Sequence, residues 1–393
     1  MQDNTLSLQR LTHFAILLFL VIYLLSVGRA LLVPLAFGAL FAFMLMPVAW
    51  FIERYVPWRI PAILVTLLIA IIPIVGIVAL FSSQFAAVFQ SMPAIGERLN
   101  AGLTSLFSWI NEQFGYTRAE TEQMIREQSS KILQSPMFSI SKGLSTSSAI
   151  LSGIVLTLVY TLLFLLYRSA IKKFILVQVT SQKKDSAEEL LGNIQKVVQD
   201  YLYSLLMVML VLTTLLSLGF WMIGIKHALL WGAFAGFMAI IPYIGSFLGG
   251  FLPFIYALAT GDHAWQPWAV IGISAFVQFL EGNIITPNIV GNTVNINPLA
   301  AIIALFAGGQ IWGIAGMILA LPFVAILKVM MDNVDFLKPV GHLLSDDIYQ
   351  KEELLETKLD RERFRLRSFF KTRQPATPAA DKKNGLEGQG KKN

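Results

Sequence analysis

The chain has 393 residues, of which 55% are hydrophobic and only 14% are charged, and its mean hydropathy is +0.65. Soluble domains carry about 25% charged residues, so this composition excludes an ordinary soluble globular protein and predicts an integral membrane protein. The absence of cysteine excludes disulfides, thiolate metal sites and a cysteine nucleophile. The net charge of +6 is concentrated in loops and at the C-terminal end, as membrane topology requires, and does not indicate nucleic acid binding.

The N-terminal part of the sequence predicts three membrane-spanning helices. The apolar runs are Leu11–Val27, Ala30–Phe51 and Ile60–Phe81, and each is close to the roughly 20 residues needed to cross the hydrocarbon layer. Because no small-residue cleavage site ends the first run, we expect a retained span and not a removed signal peptide. Residues 82–148 return to a polar composition with apolar residues at helical spacing, which predicts amphipathic helices outside the hydrocarbon.

A fourth predicted span, Ala149–Tyr167, runs directly into the densest internal basic block, Arg168–Lys184. The positive-inside rule places this block, and with it both chain termini, in the cytoplasm. An amphipathic helix follows, with an apolar stripe from Leu190 to Val198, and we expect it to dock on the bundle from the cytoplasmic side. Tyr201–Gly224 is the fifth predicted span.

The C-terminal membrane region is less regular. Ala228–Thr260 and Pro298–Leu327 are apolar but interrupted by glycine and proline, and neither has comfortable length for two full spans. The topology is consistent if both fold back as hairpins on either side of the segment Trp268–Leu280. Segments broken in this way are typical of the central site of a transporter, because irregular backbone at membrane depth must face protein or a water-filled cavity. We also predict that Gly282–Asn297, which is rich in asparagine, cannot form a regular lipid-facing helix.

The fold class predicted from these elements is all-α, a polytopic transmembrane helix bundle with about eight membrane segments, some of them broken or hairpin-like, plus amphipathic extramembrane helices. The charged C-terminal region should be disordered at its end. The predicted regions are N-terminal transmembrane helices (1–81), an extramembrane amphipathic segment (82–148), a transmembrane helix with a cytoplasmic amphipathic helix (149–200), the C-terminal transmembrane core (201–332) and a charged cytoplasmic tail (333–393).

Glu281 is the strongest candidate for a functional residue, because it is the only charged residue between His263 and Lys328 and has apolar flanks. A lone carboxylate at the bilayer centre costs about 2.5 kcal/mol or more, and such charges usually mark a pathway for an ion, proton or substrate. The alternative is that Glu281 ends a helix at the headgroup level and stays in water. Further pathway candidates are polar or backbone-breaking residues: Gln278, Asn283, Asn288, Gln310, Pro242, Tyr243, Gly245 and Pro287. Individually, such prolines and glycines are equally consistent with helix kinks and close helix packing.

The C-terminal half of the chain carries an ordered set of motifs. The first is Ile241-Pro242-Tyr243-Ile244-Gly245, and the second is Glu281-x-Asn283-x-x-x-Pro287-x-x-x-Gly291. Asn297-Pro298-Leu299 and Gly308-Gly309 follow. With these motifs the chain resembles the AI-2E transporter family, also described as PerM-type permeases, and the likeness extends over nearly the whole chain to Lys328. Asn297 is a departure, because many members have a histidine there.

The resemblance implies a bacterial cytoplasmic (inner) membrane protein that passes the bilayer about eight times. Members of the family are linked to export of the quorum-sensing signal autoinducer-2, and others are similar to sodium or lithium/proton antiporters. The resemblance therefore leaves open whether the partner is a small polar solute or a monovalent cation and a proton. It also allows a homo-oligomer, and it implies no cofactor, metal or catalytic residue.

Three function hypotheses follow. The first is a secondary transporter for a small polar solute such as autoinducer-2, with Gln278, Asn283, Asn288 and Gln310 lining its site. The second is a sodium or lithium/proton antiporter, in which burial disfavours the charged form of Glu281 and lets it alternate between proton and cation. The third is a non-transporting scaffold or an intramembrane enzyme, although the chain lacks nucleotide-binding Gly-Lys-Ser/Thr and zinc-binding His-Glu-x-x-His motifs. Both transport hypotheses predict that Glu281→Gln abolishes transport, whereas a scaffold would tolerate it.

Overall fold

A computed structural model describes residues 2–90, 140–180, 184–241, 244–290, 295–334 and 337–346 of the chain. Most of the predicted extramembrane segment 82–148, the end of the predicted tail, and the candidate residues Pro242 and Tyr243 lie outside the described residues. The chain divides into two compact units, Met1–Leu20 with Lys351–Asn393 and Val21–Gln350. All contacts described below lie within the second unit.

Every regular element in the described part of the chain is helical, so the predicted all-α class is confirmed. The helices are α1 (Gln2–Val27), α2 (Arg29–Glu53), α3 (Arg59–Gln90), α4 (Ile140–Val177), α5 (Lys184–Met222), α6 (Ala228–Met238), α7 (Ile244–Thr260), α8 (Gln266–Leu280), a π-helical turn (Glu281–Ile285), α9 (Thr286–Ile289), α10 (Pro298–Trp312), α11 (Ile314–Asn333) and α12 (Lys338–Leu343). Within the described ranges, six helical segments have the length and composition to cross a bilayer: α2, α3, residues 150–177 of α4, α5, the continuous segment from α8 to α9, and α11. Shorter apolar helices accompany them, which confirms the multi-pass bundle.

Small residues bring α2 and α4 into close contact. A Cβ added at Gly38 would lie 2.6 Å from the Cβ of Tyr160, so only glycine permits this approach. Ala42 and Ala49 continue the small-residue face of α2 and are fully buried in a cluster with Leu165 of α4. Lipid tails are as apolar as leucine, so packing of this kind, and not exclusion from water, holds membrane helices together.

A group of charged residues lies at one end of this part of the bundle. Glu53 of α2 forms ion pairs with Arg59 of α3 and with Arg168 of α4, and Arg59 also donates to the Ser169 hydroxyl at 3.3 Å. The Arg168 guanidinium lies 5.8 Å from the centre of the Trp50 ring. Gly38 lies against Tyr160, and Glu53, further along α2, pairs with Arg168, further along α4, so the two helices run in the same direction.

The predicted amphipathic helix and the predicted fifth span are one continuous helix, α5, of 39 residues. Such a helix is about 58 Å long, nearly twice the thickness of the hydrocarbon layer. The physical reason is that residues 193–218 contain neither glycine nor proline, so nothing interrupts the backbone where the composition changes from amphipathic to apolar. Near its middle, α5 is attached to α2, because Gln199 and Tyr203 donate to the carbonyl groups of Phe43 and Met44.

Both interrupted apolar runs form pairs of helices packed against each other. In the first, a Cβ added at Gly245 of α7 would overlap the carbonyl group of Met238 of α6. In the second, Gly313 joins α10 to α11 with a φ of +64°, a conformation that side chains with a Cβ rarely adopt. The second run extends beyond its predicted end to Asn333, so that α11 alone has span length while α10 has 15 residues. This run therefore holds one helix of span length and one shorter helix, in agreement with the expectation that it is too short for two full spans.

Asn297 caps α10 and ties it to the C-terminal end of the described chain. Its side-chain oxygen accepts from the Ala300 amide at 2.8 Å, and its side-chain amide donates to the Leu343 carbonyl at 2.6 Å. The Asn297 backbone amide also donates to the Leu344 carbonyl at 2.8 Å. Asn297 therefore links the start of α10 to the residues that follow α12.

We expect Asn297→Ala to lower the free energy of unfolding by about 1–2 kcal/mol, because it removes a helix cap and a second hydrogen bond. Thermal unfolding of the purified protein in detergent measures the effect. Asn333→Ala is the matched control, because within the described ranges the Asn333 side-chain amide donates only to the Val329 carbonyl of its own helix. Equal unfolding temperatures for the two variants would contradict the capping role.

Candidate functional site

A small cavity lies among α5, α6, α7 and α8, next to the π-helical turn. Its lining consists of Leu212, Leu216, Ala235, Ala239, Gly245, Ser246, Gly249, Gly250, Ser274, Val277, Gln278 and Glu281. The volume open to the centre of a water molecule is about 30 Å³, which is room for one or two waters. The cavity is therefore sized for water or a small ion in this conformation.

Glycines of α7 form one wall of the cavity. A Cβ added at Gly249 would lie 3.0 Å from Ala235 of α6, and one added at Gly250 would lie 3.3 Å from the Cβ of Ser274 in α8. These glycines bring α7 close to both neighbouring helices. Gly245, the predicted site residue at the start of α7, lines the same wall and is buried. The glycines of α7 therefore permit close contact with α6 and α8, and the same glycines line the cavity between these helices.

Glu281 lies where α8 passes into the π-helical turn. Such turns arise from one extra residue within a helix and are frequent at functional sites. The Glu281 side chain is half-buried, and the Gln278 side-chain amide donates to its Oε2 atom at 2.8 Å. Two of the predicted site residues therefore meet at the cavity.

The backbone after Glu281 is helical as far as Ile289 but is not regular. We predicted that Gly282–Asn297 cannot form a regular lipid-facing helix, and the segment passes through the π-helical turn before the helix ends at Ile289. Two asparagine side chains bond the helix itself: Asn283 donates to the Phe279 carbonyl at 2.8 Å, and Asn288 to the Ile284 carbonyl at 2.7 Å. The described residues 295–297, beyond this helix, are not helical.

Several predicted site residues lie away from the cavity. Asn283, Pro287 and Asn288 are exposed on the segment after Glu281, and Gln310 is exposed on α10. None of these four side chains lines the cavity. Pro242 and Tyr243 directly precede α7 but lie outside the described residues. The structure thus brings together Gln278, Glu281 and Gly245 from the predicted set.

Two serines complete the polar lining and were not predicted. Ser246 follows Gly245, and Ser274 lies on α8. The Ser274 Oγ atom is buried and makes no hydrogen bond within the described chain. Ser274, Gln278 and Glu281 are spaced i, i+4 and i+7, so they share one helix face. That spacing is visible in the sequence and could have identified Ser274.

The cavity offers oxygen ligands to a small cation. Carboxylate, amide and hydroxyl oxygens are ligands of hard cations, and Glu281, Gln278 and Ser274 supply one of each on a single helix face. A partly buried carboxylate is costly as a bare charge, so a bound proton or cation stabilises it. Because the Ser274 hydroxyl makes no hydrogen bond within the described chain, its oxygen is available to accept or to coordinate. The structure therefore brings a carboxylate, an amide and a hydroxyl together at one small cavity.

The sequence model of the family described as "AI-2E family transporter" matches residues 13–335 of the chain. YueF of Bacillus subtilis (strain 168) is 24% identical over 77% of this chain and 83% of its own length. YhhT of Escherichia coli (strain K12) is 25% identical over 77% of this chain and 84% of its own length. YrrI of B. subtilis is 40% identical, but the match covers only 34% of this chain and 37% of YrrI. All three relatives are named as transport proteins. Since the family match covers most of the sequence, the chain belongs to the AI-2E transporter family.

Proposed function

We propose that the protein is a secondary transporter that exchanges a monovalent cation for a proton at Glu281. The observation that carries this proposal is that Glu281 is the one ionisable side chain among the described residues that line the small cavity, where it shares a helix face with Gln278 and Ser274. Family membership supports membrane transport in general. The positive-inside rule supports a cytoplasmic location for the basic block and both termini, and the family resemblance supports the bacterial inner membrane.

The size of the cavity favours an ion over an organic solute. The cavity volume of about 30 Å³ is about one tenth of the volume of the smallest pockets that hold small organic ligands, which is roughly 300 Å³. A solute such as autoinducer-2 would require the helices around Glu281 to separate. The exposed amides of Asn283 and Asn288, which a solute site was expected to use, are bonded within their own helix.

The proposed cycle has one site and two ligands. The Glu281 carboxyl releases its proton when a cation enters from one side of the membrane, and it takes up a proton when the cation leaves on the other side. Exchange of one cation for one proton moves no net charge. The short helices α6 and α7 form the wall opposite Glu281, and movement of such broken segments is a common way to expose a site alternately to the two sides.

The direct test is reconstitution into proteoliposomes that contain a pH-sensitive dye. Sodium or lithium gradients should drive proton flux with no organic solute present, and choline should not. Autoinducer-2 flux measured in the same vesicles tests the solute hypothesis. Autoinducer-2 flux without any sodium- or lithium-driven proton flux would overturn the proposal in favour of that second hypothesis.

We expect Ser274→Ala to raise the sodium concentration for half-maximal flux about ten-fold, which corresponds to the loss of one hydrogen-bond-like contact to a charged group, about 1.5 kcal/mol. Ser217→Ala is the matched control. The Ser217 hydroxyl is also buried and without a partner among the described residues, but it does not line the cavity. A similar change in both variants would contradict the assignment of Ser274 as a ligand.

A further inference from the structure

A second, larger cavity lies between α2, α4 and α5. It has a volume of about 380 Å³, within the range of pockets that bind small organic ligands, roughly 300–1,000 Å³. It shares no lining residue with the Glu281 cavity. A ligand bound in this cavity would therefore be separate from the Glu281 cavity.

The polar part of this cavity is basic. Arg168 and Lys172 lie one turn apart on α4. Among the described residues, Ser169 and Gln195 are the other polar ones in the lining, and none of the lining residues is a carboxylate. The Arg168 side chain is only 12% exposed. It pairs with Glu53 through Nη2, but its Nη1 atom is buried and makes no hydrogen bond within the described chain. A buried guanidinium N–H group without a partner is costly, and an anionic ligand would satisfy it.

The charges around the cavity leave room for one anion. Glu53 is shared by Arg59 and Arg168, and Lys172 pairs with Glu188. These five side chains therefore carry three positive and two negative charges. A phosphodiester with a single negative charge would balance the group.

The remainder of the lining is apolar. Phe43 and Met46 of α2, Phe164 and Ile175 of α4, and Leu191 of α5 are part of it. The surface beside the cavity is apolar as well, because Trp50 and Phe51 at the end of α2 are 46% and 59% exposed. Tryptophan is typical of the membrane interface. The cavity thus has one basic region and one apolar region, between helices that have the length to span a membrane.

We propose that this cavity binds an anionic phospholipid, with the headgroup phosphate at Arg168 and Lys172 and part of an acyl chain along Phe43, Met46 and Phe164. Basic pockets between membrane helices on the cytoplasmic side recognise anionic lipid headgroups, and the basic block that contains Arg168 is predicted to be cytoplasmic. The bound lipid would connect α2 and α4 with the long helix α5. A soluble phosphate ester would satisfy the charges but would leave the apolar lining empty.

Native mass spectrometry of the full-length protein, purified in detergent and mixed with defined lipids, tests the proposal. Wild type should retain phosphatidylglycerol in preference to phosphatidylcholine. Lys172→Gln should reduce phosphatidylglycerol retention about five-fold, the equivalent of one basic residue near an anionic surface. Lys173→Gln is the matched control, because Lys173 is the neighbouring exposed cation and does not line the cavity.

A steric variant tests the same site without removing a charge. Gly192 lines the cavity, and a Cβ added there meets no heavy atom within 4 Å. Gly192→Leu should fill the cavity and reduce lipid retention, while thermal stability without added lipid stays the same or rises, because leucine favours a helix more than glycine does. Gly153→Leu, also without a neighbour within 4 Å on α4, should retain lipid like wild type.

Equal retention of phosphatidylglycerol and phosphatidylcholine would overturn the proposal. So would equal losses in Lys172→Gln and Lys173→Gln, or unchanged retention in Gly192→Leu. Glycerol phosphate, added as a soluble competitor, should not displace the lipid. Displacement would show that the site recognises a free phosphate ester and would also overturn the lipid assignment.

Discussion

Glu281→Gln should abolish cation-driven proton flux in proteoliposomes, with a loss of about 100-fold or more, because it removes the group that would exchange a proton for a cation. The amide has nearly the same size as the carboxyl, so the cavity and its contact with Gln278 should persist. Glu281→Asp keeps the charge but shortens the side chain, and we expect it to retain measurable flux at higher cation concentrations. Dye-reported flux under a sodium gradient measures all three proteins.

Asp262→Asn is the matched control for Glu281→Gln. Asp262 is an exposed carboxylate that pairs with Lys226 and does not line the Glu281 cavity, so its replacement should leave the flux near the wild-type level. The outcome that would contradict the assignment of Glu281 is a folded Glu281→Gln protein with wild-type flux. Such a result would instead favour a structural role for Glu281 at the π-helical turn.

Gly316→Ala should have the largest effect on stability. A Cβ added at Gly316 of α11 would overlap the carbonyl group of Gly308 of α10. The two helices are joined by Gly313 alone, so they cannot separate freely to relieve the overlap. Overpacking a well-packed site costs about 1–3 kcal/mol and occasionally more, and we expect a loss of about 3 kcal/mol because the clash involves backbone atoms. Thermal unfolding in detergent measures the loss.

Gly272→Ala provides the comparison for Gly316→Ala. Gly272 is also a helical glycine, on α8, but a Cβ added there meets no heavy atom within 4 Å. Its replacement by alanine should leave stability unchanged or raise it slightly, since alanine favours the helix. Similar unfolding temperatures for Gly316→Ala and wild type would show that α10 and α11 are not packed as the structure describes.

The sequence was sufficient to predict the membrane bundle and its irregular C-terminal part. Apolar runs of known length give spans because the thickness of the hydrocarbon layer is fixed, and glycine and proline mark where the runs break. The continuity of α5 was missed because a change from amphipathic to apolar composition resembles a boundary even when the backbone has no reason to break there. The apolar run ends at Leu327, whereas α11 continues to Asn333. Within this last part of the helix, the Lys328 side chain donates to Asp332 one turn later.

The candidate site was only partly visible in the sequence. Glu281 could be identified from the cost of a lone charge, and its helix-face neighbours Gln278 and Ser274 from their spacing. The cavity itself depends on distances between α7 and its neighbours, which no local pattern encodes. The ion pair of Glu53 with Arg168 joins residues 115 positions apart, so the basic cavity beside it could not be predicted from the basic block alone. Membership of the AI-2E transporter family indicates a membrane transporter, and the transported ligand has to be identified by experiment.

The most direct test of the account is proton release from the purified, detergent-solubilised protein when sodium or lithium is added in weakly buffered solution. If cation and proton compete for Glu281, wild type should release about one proton per chain at a pH where the carboxyl is protonated, and Glu281→Gln should release none. No release from wild type, or the same release from both proteins, would contradict a shared cation and proton site at Glu281.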